Sequence, residues 1–223
     1  MKRTKQIIRH LSIGFGIITA LIFAQGANAN TNIEFHEVAS AVMINSLKTQ
    51  SSHSFLKQLY TQLFFVPVWI DENSVSSFSK ELFRQIIQDK TLEKTSKLYQ
   101  DAIRLERKAQ EIYVSKSTLS QKVELEFQIS QLYKGYAEYT LYGSINWGAF
   151  LDRLYNLKAQ GIYAGWVTHR PKFSPLSLIE MAALSGSLSE LFTQAAPKEY
   201  HYRELQASLI QYLEMQKSGG WPT

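Results

Sequence analysis

The segment from Leu119 to Leu141 is the strongest constraint on what this chain can fold into. Wound at 3.6 residues per turn, Val123, Leu125, Phe127, Ile129, Leu132, Tyr136 and Tyr139 fall on more than one face. Such a helix must be contacted from several sides, which places it at the centre of a helical body. The stretch before it, Thr95 to Val114, reads differently. Leu98, Ala102, Leu105, Ala109 and Ile112 recur every three or four residues, opposite Arg104, Glu106, Arg107, Lys108 and Glu111. That is a helix with one apolar stripe and a solvated, charged face.

Shorter helices flank this pair. Phe55, Leu56, Leu59, Tyr60 and Leu63 make an apolar face within His53 to Phe64, and Phe78, Leu82, Phe83, Ile86 and Ile87 make a second. Between them lies Val66-Pro67-Val68-Trp69-Ile70. Pro67 disfavours αR for the residue before it and should break the first helix. The β-branched residues suggest a short extended segment, and Asp71 to Ser74 reads as a turn.

Downstream, Gly143 and Gly148 bracket a corner with Ile145-Asn146-Trp147. A helix follows through Phe150, Leu151, Leu154 and Leu157 to an αL cap at Gly161. Gly165 to Phe173, with Trp166, His169, Arg170 and Pro171, reads as a loop. Pro175 suits the first turn of a helix starting near Ser174 and closed by Gly186. Ser187 and Glu190 have capping-box spacing for the next helix. Pro197 precedes a last helix through Tyr202, Leu205, Leu209, Tyr212 and Leu213, stopped by Ser218-Gly219-Gly220. The fold class expected is mainly α, a multi-helix domain with at most a short β segment near Val66–Ile70.

The first residues read as an address. Lys2, Arg3, Lys5 and Arg9 form a basic head with no acid, and Leu11 to Ala24 is an apolar run shorter than the ~20 residues a bilayer span needs. Ala27-Asn28-Ala29 has the small-x-small spacing of a signal-peptidase site. The expected division is residues 1–29 as signal peptide, with Ala27 and Ala29 at the cleavage site, and 30–223 as one domain in the periplasm. No stable membrane span is expected after cleavage. Four of the 24 Lys+Arg lie before Ala29, leaving 20 against 19 Asp+Glu. The basic pI is therefore an export signal and not a nucleic-acid surface. With no cysteine in the chain, packing alone must hold the fold.

Catalytic motifs are sparse. No cysteine nucleophile exists, and no two of His36, His53, His169 and His201 are spaced i, i+4. His36-Glu37 begins like a zinc-protease helix, but Ser40 stands where the second histidine would be. Ser54/Lys57 and Ser77/Lys80 have Ser-x-x-Lys spacing without the companion elements of penicillin-binding enzymes, so both read as ordinary helix-surface residues. Glu124 and Glu126, two apart on a helix, point in different directions and form no acid/base pair. No phosphate loop or dinucleotide fingerprint occurs, so no cofactor and no metal are expected. Trp69, Trp147, Trp166 and Trp221 each sit beside a turn or loop. They either plug the ends of the core or offer rings for stacking on sugars or docking a neighbouring domain.

Several segments taken in order resemble the N-terminal scaffold domain of the large murein L,D-transpeptidases. They are Leu59-Tyr60 with Phe65-Val66-Pro67-Val68-Trp69-Ile70-Asp71; Leu141 to Trp147; Trp166 with Arg170-Pro171, Pro175-Leu176 and Leu188 to Phe192; and Ala196-Pro197, Tyr202, Leu205, Tyr212 and Gly219-Gly220-Trp221-Pro222. The chain departs from the family in Asn146, where some branches carry an acid, and in the charged helix Thr95 to Val114, where many members have Gly-Leu-x-Pro and Tyr-His. The resemblance implies a helical scaffold, non-catalytic alone, that in complete enzymes precedes a catalytic domain with a Ser-His-Gly-Cys centre. It carries over no catalytic residue. The implied partners are peptidoglycan or a cell-wall cross-linking enzyme. The chain is then an adaptor or the front of an interrupted enzyme; the rival expectation is a stand-alone peptidoglycan- or glycan-binding module using exposed tryptophans.

Overall fold

The computed structural model describes residues 29–163, 171–198 and 200–220. Over those residues the chain forms nine helices: α1 (Ala29–Leu47), α2 (Phe55–Gln62), α3 (Ser77–Gln88), α4 (Lys97–Val114), α5 (Leu119–Tyr142), α6 (Trp147–Ala159), α7 (Pro175–Ser185), α8 (Leu188–Ala195) and α9 (Tyr200–Lys217). The chain is mainly α. Its one β feature among the described residues is a single antiparallel bridge, Ile70 to Val75, closing the turn in which the Asp71 amide donates to Ser74 O.

The all-round apolar helix is central, as its pattern requires. α1, α2, α3, α4, α7 and α8 all pack on α5, which buries Val123, Leu125, Phe127, Ile129, Leu132, Tyr133, Tyr136, Ala137 and Leu141. α4 lays its single stripe, Ala102, Leu105, Ala109 and Ile112, against this body. Helix α1 adds Ala39, Met43 and Leu47, all without exposed surface, at four-residue spacing. α6 and α9 bury no side chain among the described residues and lie at the periphery.

The helix ends follow local chemistry. Ser54, Ser76, Ser96 and Thr118 cap α2 to α5, each accepting from the amide three residues on. Ser174 caps α7 with Pro175 at its first position, and Gly186 closes it at φ 78°. Two expectations need correction. Helix α2 ends before Pro67 can act, because Phe64 and Phe65 take left-handed φ of 54° and 59°, and the Phe65 amide reaches back to Tyr60 O at 2.7 Å. That conformation is costly for a side chain with a Cβ, and Phe65 packing against the core offsets it.

The second correction concerns α8. Ser187 accepts from the Glu190 amide as expected, but the return bond does not come from Glu190. The Ser187 amide meets Ser185 Oγ at 3.4 Å, and Glu81 of α3 places Oε2 at 2.8 and 2.9 Å from the Leu188 and Ser189 amides. A carboxylate there satisfies two free donors and meets the positive end of the helix dipole. Glu81→Ala is therefore expected to lower stability by about 1–2 kcal/mol, measured by urea unfolding. A cost below a few tenths would show that solvent replaces the bond.

Candidate functional site

The strap Val66–Ile70 has both of its polar edges accounted for. Glu126, fully buried on α5, accepts through Oε1 from the Tyr60 hydroxyl and the Val68 amide, both at 2.7 Å. Its Oε2 accepts from the Trp69 amide at 2.9 Å. One turn on, Ser130 Oγ accepts from Trp69 Nε1 at 2.8 Å and lies 2.6 Å from the Tyr60 oxygen. From the other side, Ser76 and Ser79 of the α3 N-terminus donate to the Val68 and Trp69 carbonyls, each at 2.6 Å. A buried strap with a single bridge, at Ile70, would otherwise leave several peptide groups unpaired.

Burial pushes the Glu126 carboxyl up to about 7, and the Val68 amide, the Tyr60 hydroxyl and the Trp69 and Ile70 amides hold it from going higher. Burial, then the charge of Glu126, raises the Tyr60 hydroxyl well above its ordinary value. A carboxyl near 7 has the strength of a general acid or base. Here it has no opening to solvent, and its oxygens face its own chain. The role is structural.

The strap continues into a buried pair, His36 Nε2 to Asp71 Oδ1 at 3.7 Å, too long for a hydrogen bond. Tyr113 holds Asp71 O at 2.9 Å and Lys122 holds Glu72 O at 2.6 Å. Ser40 donates to the His36 and Phe65 carbonyls, so the position where a zinc helix has its second histidine ties α1 to the strap. Among the described residues no three His, Cys, Asp or Glu are grouped to hold a metal. The Ser54/Lys57 pair is also structural: Ser54 caps α2, and Lys57 Nζ donates to Leu47 O at the end of α1, at 3.1 Å.

The four tryptophans separate. Trp69 has 0% exposure and packs 5.3 Å from the Tyr133 ring, so it plugs the core and offers no face to a sugar or a partner. Trp147 is half-buried at the start of α6; its Nε1 donates to Tyr142 O at 2.9 Å and its ring meets Phe150 edge-on. Trp166 and Trp221 lie outside the described residues, as do His169 and Ala27 of the expected cleavage site. Ala29 is the first residue of α1. No described helix is long and apolar enough to cross a membrane.

Sequence reasoning did not find a groove of about 1080 Å³ between the C-terminal end of α5 and the α3, α8 and α9 elements. Its tyrosines are Tyr136, Tyr139 and Tyr142 of α5 and Tyr202 of α9. Tyr136 donates to Asp89 Oδ2 and Tyr139 to Thr91 O, each at 2.9 Å, while Thr91 bonds Asp89 Oδ1 through both its amide and its hydroxyl. Burial, then Asp89, raises the Tyr136 hydroxyl; burial, Asp89 and Tyr139 raise Tyr202. Tyr136 and Tyr202 stay neutral; Tyr136 donates to Asp89, and Tyr202 accepts from Gln206 Nε2 at 3.3 Å. The i, i+3 spacing of the three α5 tyrosines was the available signal, but their facing helix comes some sixty residues later in the chain.

No curated protein and no solved structure matches the chain significantly. A family model does: the one described as the scaffold domain covers residues 54–209, from the cap of α2 through the strap, the central helix and most of α9. The chain therefore belongs to the Scaffold domain family, the scaffold domain of L,D-transpeptidases.

Proposed function

We propose that this protein is an exported, periplasmic scaffold for peptidoglycan cross-linking, holding or recruiting an L,D-transpeptidase without forming the bond itself. The family match over residues 54–209 carries this reading. Two features support it. The chain has no thiol, so the cysteine acyl-enzyme of that chemistry has no residue to form on. Among the described residues the one carboxyl pushed far up, Glu126, holds the strap. The basic head, apolar run and Ala27-Asn28-Ala29 support export.

The protein incubated with muropeptides is expected to leave them unchanged by mass spectrometry, and in-cell cross-linking is expected to trap it on a cysteine L,D-transpeptidase. New diaminopimelate cross-links made by the protein alone would overturn the reading, and so would a cross-linking profile without any such enzyme.

The rival, a wall-binding module using tryptophans, keeps Trp147 as its described candidate and loses Trp69 to the core. It predicts that Trp147→Ala abolishes sedimentation with purified sacculi while the fold persists.

A further inference from the structure

The groove between α5 and α9 has the lining of a carbohydrate site. At about 1080 Å³ it reaches the top of the range for small-ligand pockets, roughly 300–1,000 Å³, and so suits a ligand several units long. Its rings come from three helices, with Phe192 of α8 buried, Tyr142 39% exposed at the end of α5 and Tyr202 part-exposed on α9. Behind them, the hydroxyls of Tyr136 and Tyr139 are tied to Asp89 and Thr91 O, which fixes those rings before anything binds. Fixed rings lower the ordering cost of binding.

The polar lining is mostly neutral. Gln85, Gln88 and Gln206 offer amides that both donate and accept. The charged residues are one acid, Asp89, and two bases, Lys198 and Arg203. That is too few cations for a polyphosphate chain, whose affinity rests on many neutralised phosphates. Of the Leu and Met residues that would grip an amphipathic peptide helix this lining has one, Leu141, and it is buried at 4% exposure. Flat aromatic faces with neutral amides match pyranose rings, which present C–H faces and carry hydroxyl and acetamido groups.

We propose that this groove binds a segment of β-linked N-acetylated glycan strand, with Tyr142 and Tyr202 stacking on sugar faces and Gln88 and Gln206 bonding their polar substituents. The choice of an amino-sugar polymer rests on the cell-wall reading above; the sugar-binding chemistry rests on the lining itself.

The test is titration of the isotope-labelled protein with N-acetylchitotetraose, followed by NMR, with a free stem tetrapeptide as the second probe. Expected are shifts confined to the groove lining, at the ends of α3, α5 and α8 and the start of α9. Tyr142→Ala and Tyr202→Ala should each weaken binding about fivefold. Tyr155→Ala, on the 69% exposed tyrosine of α6, should leave it unchanged. Thermal unfolding of all three variants establishes that they fold. No shift with the tetrasaccharide, shifts with the tetrapeptide instead, or binding insensitive to both groove variants would overturn the proposal. Sedimentation with sacculi separates the two readings. A protein that sediments yet ignores the tetrasaccharide sinks the groove and leaves the cell-wall role, whereas one that binds the tetrasaccharide but traps no transpeptidase in cells keeps the groove and sinks that role.

Discussion

Glu126→Gln is expected to cost more stability at pH 5 than at pH 8, by about 2.5 kcal/mol. In the native state burial raises this carboxyl from 4.5 to about 7. Between those values the folded protein binds a proton that the unfolded chain has mostly released. The stabilisation is therefore fully present below about 4.5 and is lost as pH rises through about 7.

The geometry gives the proton a place. On protonation Oε1 can donate to the Tyr60 oxygen, and Tyr60 then turns its own proton 2.6 Å to Ser130 Oγ, while the Val68 and Trp69 amides keep their acceptors. Glutamine cannot follow. Its NH2 would face one of those amides, donor against donor, so at pH 5 the variant loses roughly 1–3 kcal/mol against the protonated native side chain. At pH 8, where the native protein carries the buried charge, that cost falls by about 2.5 kcal/mol, to near zero or below. Denaturant unfolding of both proteins at pH 5, 6, 7 and 8 measures it. Parallel pH curves would show that Glu126 does not carry the linkage.

Helix positions were legible where one local rule decided them. The stripe of α4, the all-round apolar pattern of α5, Pro175 at the start of α7 and Gly186 at its end each rest on residues within a few turns of one another. What escaped was set by distant partners. Glu126 was read only as pointing away from Glu124, yet it sits on the buried row Val123, Glu126, Ser130, Tyr133 and Ala137. A polar residue on a core row signals a buried bond, but the donors, Val68 and Trp69, are almost sixty residues upstream. Helix α1 was missed because its stripe of His36, Ala39, Met43 and Leu47 is narrow and includes a polar residue. At α8 the spacing found the cap, Ser187 accepting from the Glu190 amide, but not Glu81, which reaches from another helix to the Leu188 and Ser189 amides. The groove needed α3, α5, α8 and α9 together, and α9 buries nothing by itself among the described residues.

Trp69→Ala is expected to be the most damaging single truncation in the strap, costing about 3–5 kcal/mol. The indole is the largest of the fully buried side chains, lies 5.3 Å from Tyr133, and carries the one strap side-chain bond to Ser130. Its removal leaves a cavity between α5 and the strap, and the walls cannot close because Val68 and Trp69 stay pinned by Glu126, Ser76 and Ser79 through their peptide groups. A site that cannot collapse lies at the upper end of the cost for such a truncation. Trp69→Phe separates the two contributions, since it keeps most of the volume and loses only the Nε1 bond, for about 1 kcal/mol. For a domain of this size about 1 kcal/mol corresponds to roughly 2–4 °C in melting temperature, so alanine should lower it by about 10 °C and phenylalanine by only a few. Equal losses in the two variants would mean that the hydrogen bond to Ser130, and not the packed ring, anchors the strap.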